Sequence, residues 1–151
     1  MKRAGILFFL CILGSYRLQA QTTEDSVKAV VNAMFDAMKT GNEQALKDCF
    51  SDSAILQTIA NSKTGEKIIR TEQVSQFASS VSKLPKGAAD ERIVFETVRI
   101  DGPLAIVWTP YKFYFNGQFS HCGVNSFHLV KLKGNWKIHF LIDTRRKEPC
   151  L

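Results

Sequence analysis

Apolar side chains recur every three or four residues from Asp25 to Lys39, which is the spacing of one buried face of an α-helix. Polar residues occupy the opposite positions, so the pattern predicts an amphipathic helix. Gly41 ends this helix, and Asn42 is a favourable N-cap for a second, shorter helix that runs to Phe50.

The segment after the second helix is predicted to contain two short strands and a third helix. Ser51–Ser53 interrupts the helical spacing, and Ala54–Ile59 is the first predicted strand. Asn61–Lys67 is polar and predicted to be a loop, Ile68–Ile69 a short strand, and Thr71 the cap of the third helix. The apolar residues of that helix are Val74, Phe77, Ala78 and Val81.

The second half of the chain consists of long apolar segments separated by three turn signals. These signals are Asp101-Gly102, Asn116-Gly117 and Gly134-Asn135. Asp-Gly and Asn-Gly accept the positive φ of a type I′ turn. After a surface loop over Lys83–Asp90, four antiparallel strands are predicted: Arg92–Ile100, Leu104–Phe115, Phe119–Leu132 and Trp136–Arg145. The order of elements predicts an α+β domain with three helices packed on one face of a curved, mostly antiparallel sheet.

The turns also predict which side chains face the helices. The second turn places Trp108 opposite Asn125, and the third turn places Phe127 opposite Ile142. We therefore expect Trp108 and Phe127 in one apolar inner wall, with Asn125 as a polar group beside Trp108. The Asn125 amide either bonds neighbouring backbone or meets a ligand, because a buried amide needs a partner.

Two histidines of the last hairpin lie together in this register. His128 and His139 share a face with Asp143, whereas His121 lies on the opposite face from His128 because the two are seven residues apart. A two-histidine, one-carboxylate metal site is conceivable on that face. Outer surface or a subunit contact is the favoured alternative, and neither a metal nor a cofactor is predicted.

The first 20 residues have the pattern of a secretory signal peptide. Lys2 and Arg3 precede an apolar run, and cleavage is expected after Ala20. The run is shorter than the ~20 residues that span a bilayer, so no membrane association is expected after cleavage. Residues 21–151 keep 17 Lys and Arg against 14 Asp and Glu, and this net charge of +3 does not indicate nucleic-acid binding. We expect a periplasmic or secreted protein with one domain over residues 21–151.

Three cysteines remain after that cleavage: Cys49, Cys122 and Cys150. Export implies an oxidising compartment, and the register brings Cys122 close to the C-terminal tail. A Cys122–Cys150 disulfide is therefore predicted, with Cys49 as a buried thiol. The alternative is a nucleophilic Cys122, for which His121 is a poorly placed base, because adjacent residues in a strand point to opposite faces.

Three segments carry a resemblance to a known family: "MFDAMKTGN" (34–42), "ALKDCFSDSAIL" (45–56) and "FHLVKLKGNWKIHF" (127–140). They resemble nuclear transport factor 2-like domains, the cone-shaped α+β fold shared with SnoaL-type polyketide cyclases and ketosteroid isomerases. The resemblance spans residues 24–146. The "HCG" at 121–123 and the closing "TRRKEPC" are most similar to small bacterial proteins named for lumazine binding. The resemblance implies a cone-shaped fold and leaves the function open, because both enzymes and non-enzymes have this fold.

The resemblance to ketosteroid isomerases allows a comparison of catalytic positions. Those enzymes use a tyrosine on the first helix and an aspartate on the first long strand, and these positions fall on Met34 and Thr58 here. A thioether and a neutral hydroxyl do not replace an oxyanion donor and a general base. Other acids expected near the cone mouth are Asp52, Glu91 and Glu96.

The chain is thus expected to offer a pocket for a small apolar or aromatic molecule, or a cone filled by its own side chains. The predicted ligand-binding residues are Phe35, Met38, Phe77, Trp108, Tyr111, Asn125, Phe127 and Phe140. The leading hypothesis is an exported, non-catalytic ligand-binding domain that forms a homodimer through the outer face of the sheet. The alternatives are a SnoaL-like cyclase, isomerase or dehydratase that uses a carboxylate or His121, and an interaction module with a filled cone.

Overall fold

The computed structural model describes residues 23–150, so the predicted signal peptide lies outside the described residues. The helices are α1 (Thr23–Thr40), α2 (Glu43–Asp48) and α3 (Val74–Ser82). The strands are β1 (Phe50–Asn61), β2 (Lys67–Glu72), β3 (Ala89–Ile93), β4 (Thr97–Asp101), β5 (Leu104–Phe115), β6 (Gln118–Leu132) and β7 (Asn135–Thr144). They form a curved, open sheet in the order β2-β1-β7-β6-β5-β3, in which β4 also pairs with β5. The predicted α+β class, with N-terminal helices on a mostly antiparallel sheet, is confirmed.

The helices form where the apolar spacing predicts them, and α1 shows why. Its residues Val27, Val31 and Met34 are almost fully buried, because the i, i+4 spacing puts them on one stripe against the sheet. The Asn42 side chain caps α2 by accepting a hydrogen bond from the Ala45 amide at 3.1 Å, as predicted.

Several element boundaries differ from the prediction. Cys49 is the C-cap of α2, and β1 begins at Phe50, so Ser51–Ser53 belongs to a strand that is irregular at this point. Thr71 does not cap α3: it pairs with Gln57 inside β2, which continues to Glu72. The polar residues at both places predicted an end of regular structure. Pairing with a neighbouring strand instead provides hydrogen bonds to the backbone N–H and C=O groups there.

The region before β5 also differs. The predicted strand over residues 92–100 is two strands, β3 and β4, which pair with opposite ends of β5. The predicted surface loop over residues 83–90 is buried at its end, where β3 begins. Asp90 is 9% exposed and forms ion pairs with Lys39 at 2.8 Å and Arg92 at 3.0 Å, so its burial is compensated by two cations.

Two bulges and one shifted turn change the predicted register. The last turn is Lys133-Gly134, with positive φ at both residues, because Leu132 pairs with Asn135. An extra residue at Ser120 shifts the β5–β6 pairing, and another at His139 shifts the β6–β7 pairing. Each one-residue shift moves the following side chains of one strand to the opposite face.

The predicted inner position of Trp108 is therefore wrong. Phe127 pairs with Val107 and with Leu141 rather than with the predicted Ile142, and it is fully buried as predicted. Trp108 points to the outer face and is 43% exposed.

The C-terminal tail is tied to β6. Cys122 and Cys150 form the predicted disulfide, with an S–S distance of 2.05 Å. The backbones of Cys122 and Arg146 also exchange two hydrogen bonds of 2.9 Å. Cys49 is the buried free thiol among residues 23–150. Within the same residues, no helix has the length and apolar character needed to cross a membrane.

Candidate functional site

A cavity of about 600 Å³ lies between the inner face of the sheet and helices α1 and α3. Its apolar wall combines side chains from both helices and from the sheet: Met34, Phe35, Met38, Phe77, Phe113 and Leu141. Its polar residues gather on the sheet side and on β2. The cavity therefore has an apolar body and a polar wall, which is the common composition of small-molecule sites.

A row of polar residues crosses the inner face of the sheet. Strand pairing places Arg70 of β2 beside Thr58 of β1, Thr58 beside Asp143 of β7, Asp143 beside Asn125 of β6, and Asn125 beside Thr109 of β5. The first four of these residues line the cavity, and Thr109 is fully buried. The row forms because the register aligns one polar position on each strand.

Asp143 is the hub of this wall and is only 8% exposed. Its carboxylate accepts hydrogen bonds from the Thr58 hydroxyl at 2.5 Å and from Nε of Arg145 at 2.9 Å, and the Tyr111 hydroxyl lies 3.2 Å from it. The Arg145 guanidinium also lies 3.2 Å from the Thr58 hydroxyl. These partners hold the Asp143 charge in place, as a buried carboxylate requires.

Glu91 is a carboxyl group in the cavity wall with one hydrogen bond. Its Oε1 accepts from Nδ2 of Asn125 at 2.7 Å. The pKa of Glu91 is raised from 4.5 to about 7, mainly by burial. The nearby Asp143 charge contributes to this rise, whereas the hydrogen bond from Asn125 and the Arg145 charge oppose it. Near neutral pH this group exists both as a proton donor and as an acceptor.

Tyr111 and His121 stand next to this acid. Tyr111 lies opposite Gly123, where an added side chain would meet the Thr144 carbonyl oxygen at 1.8 Å, so the missing side chain lets the tail and the tyrosine approach β6. The Tyr111 hydroxyl donates to that carbonyl at 2.9 Å, and burial raises its pKa above the ordinary value. Burial and the Arg145 charge lower the pKa of His121, which favours the neutral ring.

The structure brings most of the predicted binding residues together. Those that line the cavity are Phe35, Met38, Phe77, Tyr111 and Asn125. Met34 and Thr58, which match the isomerase positions, line it as well.

Three predicted binding residues lie elsewhere. Trp108 is on the outer face, and Phe127 is packed in the core, edge-on against Phe35 with a ring distance of 6.1 Å. Phe140 lies against His128 at 5.6 Å, outside the cavity. The bulge at Ser120 explains why Trp108 lies outside the cavity, and the bulge at His139 explains the same for Phe140.

The bulge at His139 also places Asp143 and Arg145 in the cavity wall, where the predicted register did not place them. The signal available in the sequence was the alternation of Leu141, Asp143 and Arg145, which becomes informative only once a bulge at His139 is assumed.

The metal site considered for His128, His139 and Asp143 does not assemble. Asp143 is on the inner face, and His139 instead contacts the Ser51 hydroxyl through Nδ1 at 2.9 Å. Residues 23–150 contain no cluster of three or more His, Cys, Asp or Glu placed to hold a metal ion.

Comparisons with known proteins agree with this architecture. A nuclear transport factor 2-like protein of unknown function from Shewanella baltica superposes with a TM-score of 0.65 at 11% identity, covering 82% of this chain and 93% of that one. A domain of unknown function with a cystatin-like fold from Nostoc punctiforme gives a TM-score of 0.63 at 20% identity, covering 83% of this chain and 79% of that one. A ketosteroid isomerase-like protein from Erwinia carotovora atroseptica gives 0.60 at 13% identity, covering 83% and 97%.

At these identities the structural matches show a shared fold and leave the function open. A search of curated proteins gives no match. The family model described as "Putative lumazine-binding" matches residues 22–139, which is most of the chain. The chain therefore belongs to this family, within the nuclear transport factor 2-like superfamily.

Proposed function

We propose that this protein is an exported, non-catalytic binding domain for a small planar molecule, which it holds in the cavity between α1, α3 and the sheet. The observation that carries this proposal is the cavity itself, whose volume of about 600 Å³ is in the usual range for small-molecule sites. Its apolar wall suits a flat ring system, and Asn125, Tyr111 and Glu91 provide hydrogen bonds that orient one edge. The family description adds lumazine, a flat bicyclic molecule, to the candidates.

Export is part of this proposal. The leader-like pattern of the first 20 residues supports it, together with the Cys122–Cys150 disulfide, since disulfides persist in oxidising compartments.

The test is a thermal-shift screen of lumazine, pterin-, flavin- and steroid-like compounds against the chain without residues 1–20. A ligand bound at 100 times its Kd stabilises the fold by about 2.7 kcal/mol, which gives a shift of several degrees. Ser80 is exposed on α3 and lines the cavity, whereas Gln76 is exposed on the same helix and does not line it. Ser80→Trp should remove the shift and Gln76→Trp should keep it. If no compound shifts the wild-type protein, the binding proposal fails.

Glu91 favours a second candidate, an enzyme that moves a proton in the cavity. General acid–base catalysis works best with a pKa near the working pH, and the pKa of Glu91 is about 7. An isomerase or dehydratase of the SnoaL-like type would use this carboxyl group as its base. The two candidates differ in the fate of the ligand. A bound compound recovered unchanged, with no solvent deuterium incorporated, supports the binding domain, and deuterium incorporation that Glu91→Gln abolishes supports the enzyme.

The outer face of the sheet supports a homodimer. Leu104, Ile106 and Trp108 alternate along β5 on this face, and each is more than 40% exposed. His128 and Phe140 on the neighbouring strands continue the surface. An exposed apolar patch of this kind marks an interaction site more often than open surface, and a second copy of the chain is the proposed partner.

A further inference from the structure

The polar wall of the cavity has hydrogen-bond acceptors to spare. Oε1 of Glu91 accepts from Asn125 at 2.7 Å, and no group within residues 23–150 donates to the second oxygen of Glu91. The side chain lines the cavity, so this second oxygen is reachable by a ligand. A ligand group that donates a hydrogen bond to this oxygen uses an acceptor that Asn125 leaves free.

The groups around Glu91 present acceptors as well. One N–H of the Asn125 amide is engaged with Glu91, and the side-chain oxygen of Asn125 has no donor in the described part of the chain. The hydroxyl proton of Tyr111 is directed to the Thr144 carbonyl at 2.9 Å, with Asp143 as the longer alternative at 3.2 Å. The Tyr111 oxygen keeps a lone pair that can accept a further hydrogen bond.

Three donor side chains of this wall are engaged or lie at its rim. Thr58 donates to Asp143, and Nδ1 of His121 is 3.1 Å from the Ser120 hydroxyl. Arg145 donates through Nε to Asp143, and its side chain is 54% exposed, so water reaches its remaining N–H groups. A ligand edge that enters beside Glu91 and brings its own donors therefore finds acceptors at Glu91 and Asn125.

The opposite wall fixes the shape of that ligand. Phe77 of α3 and Phe35 of α1 face the sheet, where Phe113 lines the same cavity. Aromatic side chains on both walls of a cavity favour a flat ring, which can stack against them, over a branched aliphatic group. A flat ring with two adjacent N–H donors matches the two oxygens of a carboxylate, as the guanidinium of arginine does.

We propose that the cavity recognises planar heteroaromatic ligands with a cyclic amidine edge, in which an amino group beside a ring nitrogen pairs with the Glu91 carboxyl group. This inference rests on the proposed binding function and names the ligand class. The amidine is a weak base, so the pair shares one proton and needs no isolated buried charge. The charged groups around the pair are Asp143 of β7 and Arg145, which directly follows that strand, and they already compensate each other.

The test compares two probes that differ in one group, 2-aminoquinoline and 2-methylquinoline. Their shapes are nearly the same, and only the first carries the amidine edge. Isothermal titration of the wild-type protein should give at least tenfold tighter binding of 2-aminoquinoline. Glu91→Gln should reduce this ratio to nearly one. Glu66→Gln, which makes the same change at an exposed position outside the cavity, should keep it.

The possible failures are distinguishable. Equal binding of the two probes by the wild-type protein overturns the inference and leaves the proposed binding function intact. A preference for 2-aminoquinoline that survives in Glu91→Gln has the same consequence. If neither probe binds, the inference falls, and a negative compound screen would then overturn the proposed function too. The wild-type comparison alone decides the matter if Glu91→Gln does not fold.

Discussion

Glu91→Gln is expected to stabilise the protein at alkaline pH and to leave it nearly unchanged at mildly acidic pH. The substitution keeps the shape of the side chain and the oxygen that accepts from Asn125. It removes the group whose pKa burial raises from 4.5 to about 7. In the wild-type protein the folded state holds this proton more tightly than the unfolded chain, so the unfolding free energy falls as pH rises between these two values.

The magnitude follows from the two pKa values. Below 4.5 Glu91 is protonated in both states and has no effect, and above about 7 it is ionised in both and the full cost is present. One pKa unit corresponds to about 1.4 kcal/mol, so the wild-type protein should lose roughly 2–3 kcal/mol from this group between about pH 5 and pH 8.5. The side chain is partly exposed, which favours the lower end of that range.

Urea unfolding of both proteins at the two pH values measures this difference. With a slope of about 1–3 kcal/mol per molar urea, the midpoint gap between Glu91→Gln and wild type should widen by roughly 1–2 M from acidic to alkaline pH. His121 titrates in both proteins, so its contribution cancels in the comparison. Glu72→Gln should follow the wild-type profile, because Glu72 is exposed. Parallel pH profiles for Glu91→Gln and wild type would refute the buried-carboxyl interpretation.

Three further predictions concern the fold and its assembly. Replacing both Cys122 and Cys150 by serine should lower the unfolding free energy by about 3–4 kcal/mol, since the bridge spans 28 residues of sequence; an unchanged urea midpoint would contradict this. Trp108→Glu should convert the proposed dimer to a monomer in analytical ultracentrifugation, while the melting temperature of that monomer stays high. A wild-type protein that sediments as a monomer would exclude the dimer. Phe127→Ala should cost about 3–5 kcal/mol in urea unfolding because Phe127 is fully buried, whereas a loss below about 1 kcal/mol would contradict its place in the core.

The element order was predictable because hydrophobic periodicity and turn residues act locally. The helical spacing of α1 and the Asn42 cap are properties of a few neighbouring residues, and the structure shows both. The Asn116-Gly117 turn has positive φ at both positions, as predicted for a type I′ hairpin. The sequence pattern was therefore sufficient for the fold class.

The register was less predictable because β5 is apolar on both faces. Leu104, Ile106 and Trp108 alternate with Ala105 and Val107, so the hydrophobic pattern does not distinguish the inner face from the outer one. The pairing offset then decides the orientation, and a single bulge at Ser120 reverses it. Nothing in the composition of the strand marks that bulge.

Part of the candidate site was predictable, because helix periodicity is a local property of the sequence. Phe35, Met38 and Phe77 follow from helix periodicity, and they line the cavity. Asp143 and Arg145 depend on the bulge at His139, and the shifted pKa of Glu91 depends on burial that several strands create together. Long-range geometry of this kind is absent from local sequence patterns.

A titration of ¹⁵N-labelled protein with 2-aminoquinoline, followed by nuclear magnetic resonance, tests whether the inner cavity is the binding site. The side-chain amide of Asn125 lies in the cavity wall, and the indole N–H of Trp108 lies on the opposite face of the sheet. We predict saturable shifts of the Asn125 side-chain signals, with the Trp108 indole signal unmoved. Saturable shifts confined to Trp108 and the outer face would contradict a ligand site in this cavity, and so would the absence of shifts both with this probe and with every compound of the thermal-shift screen.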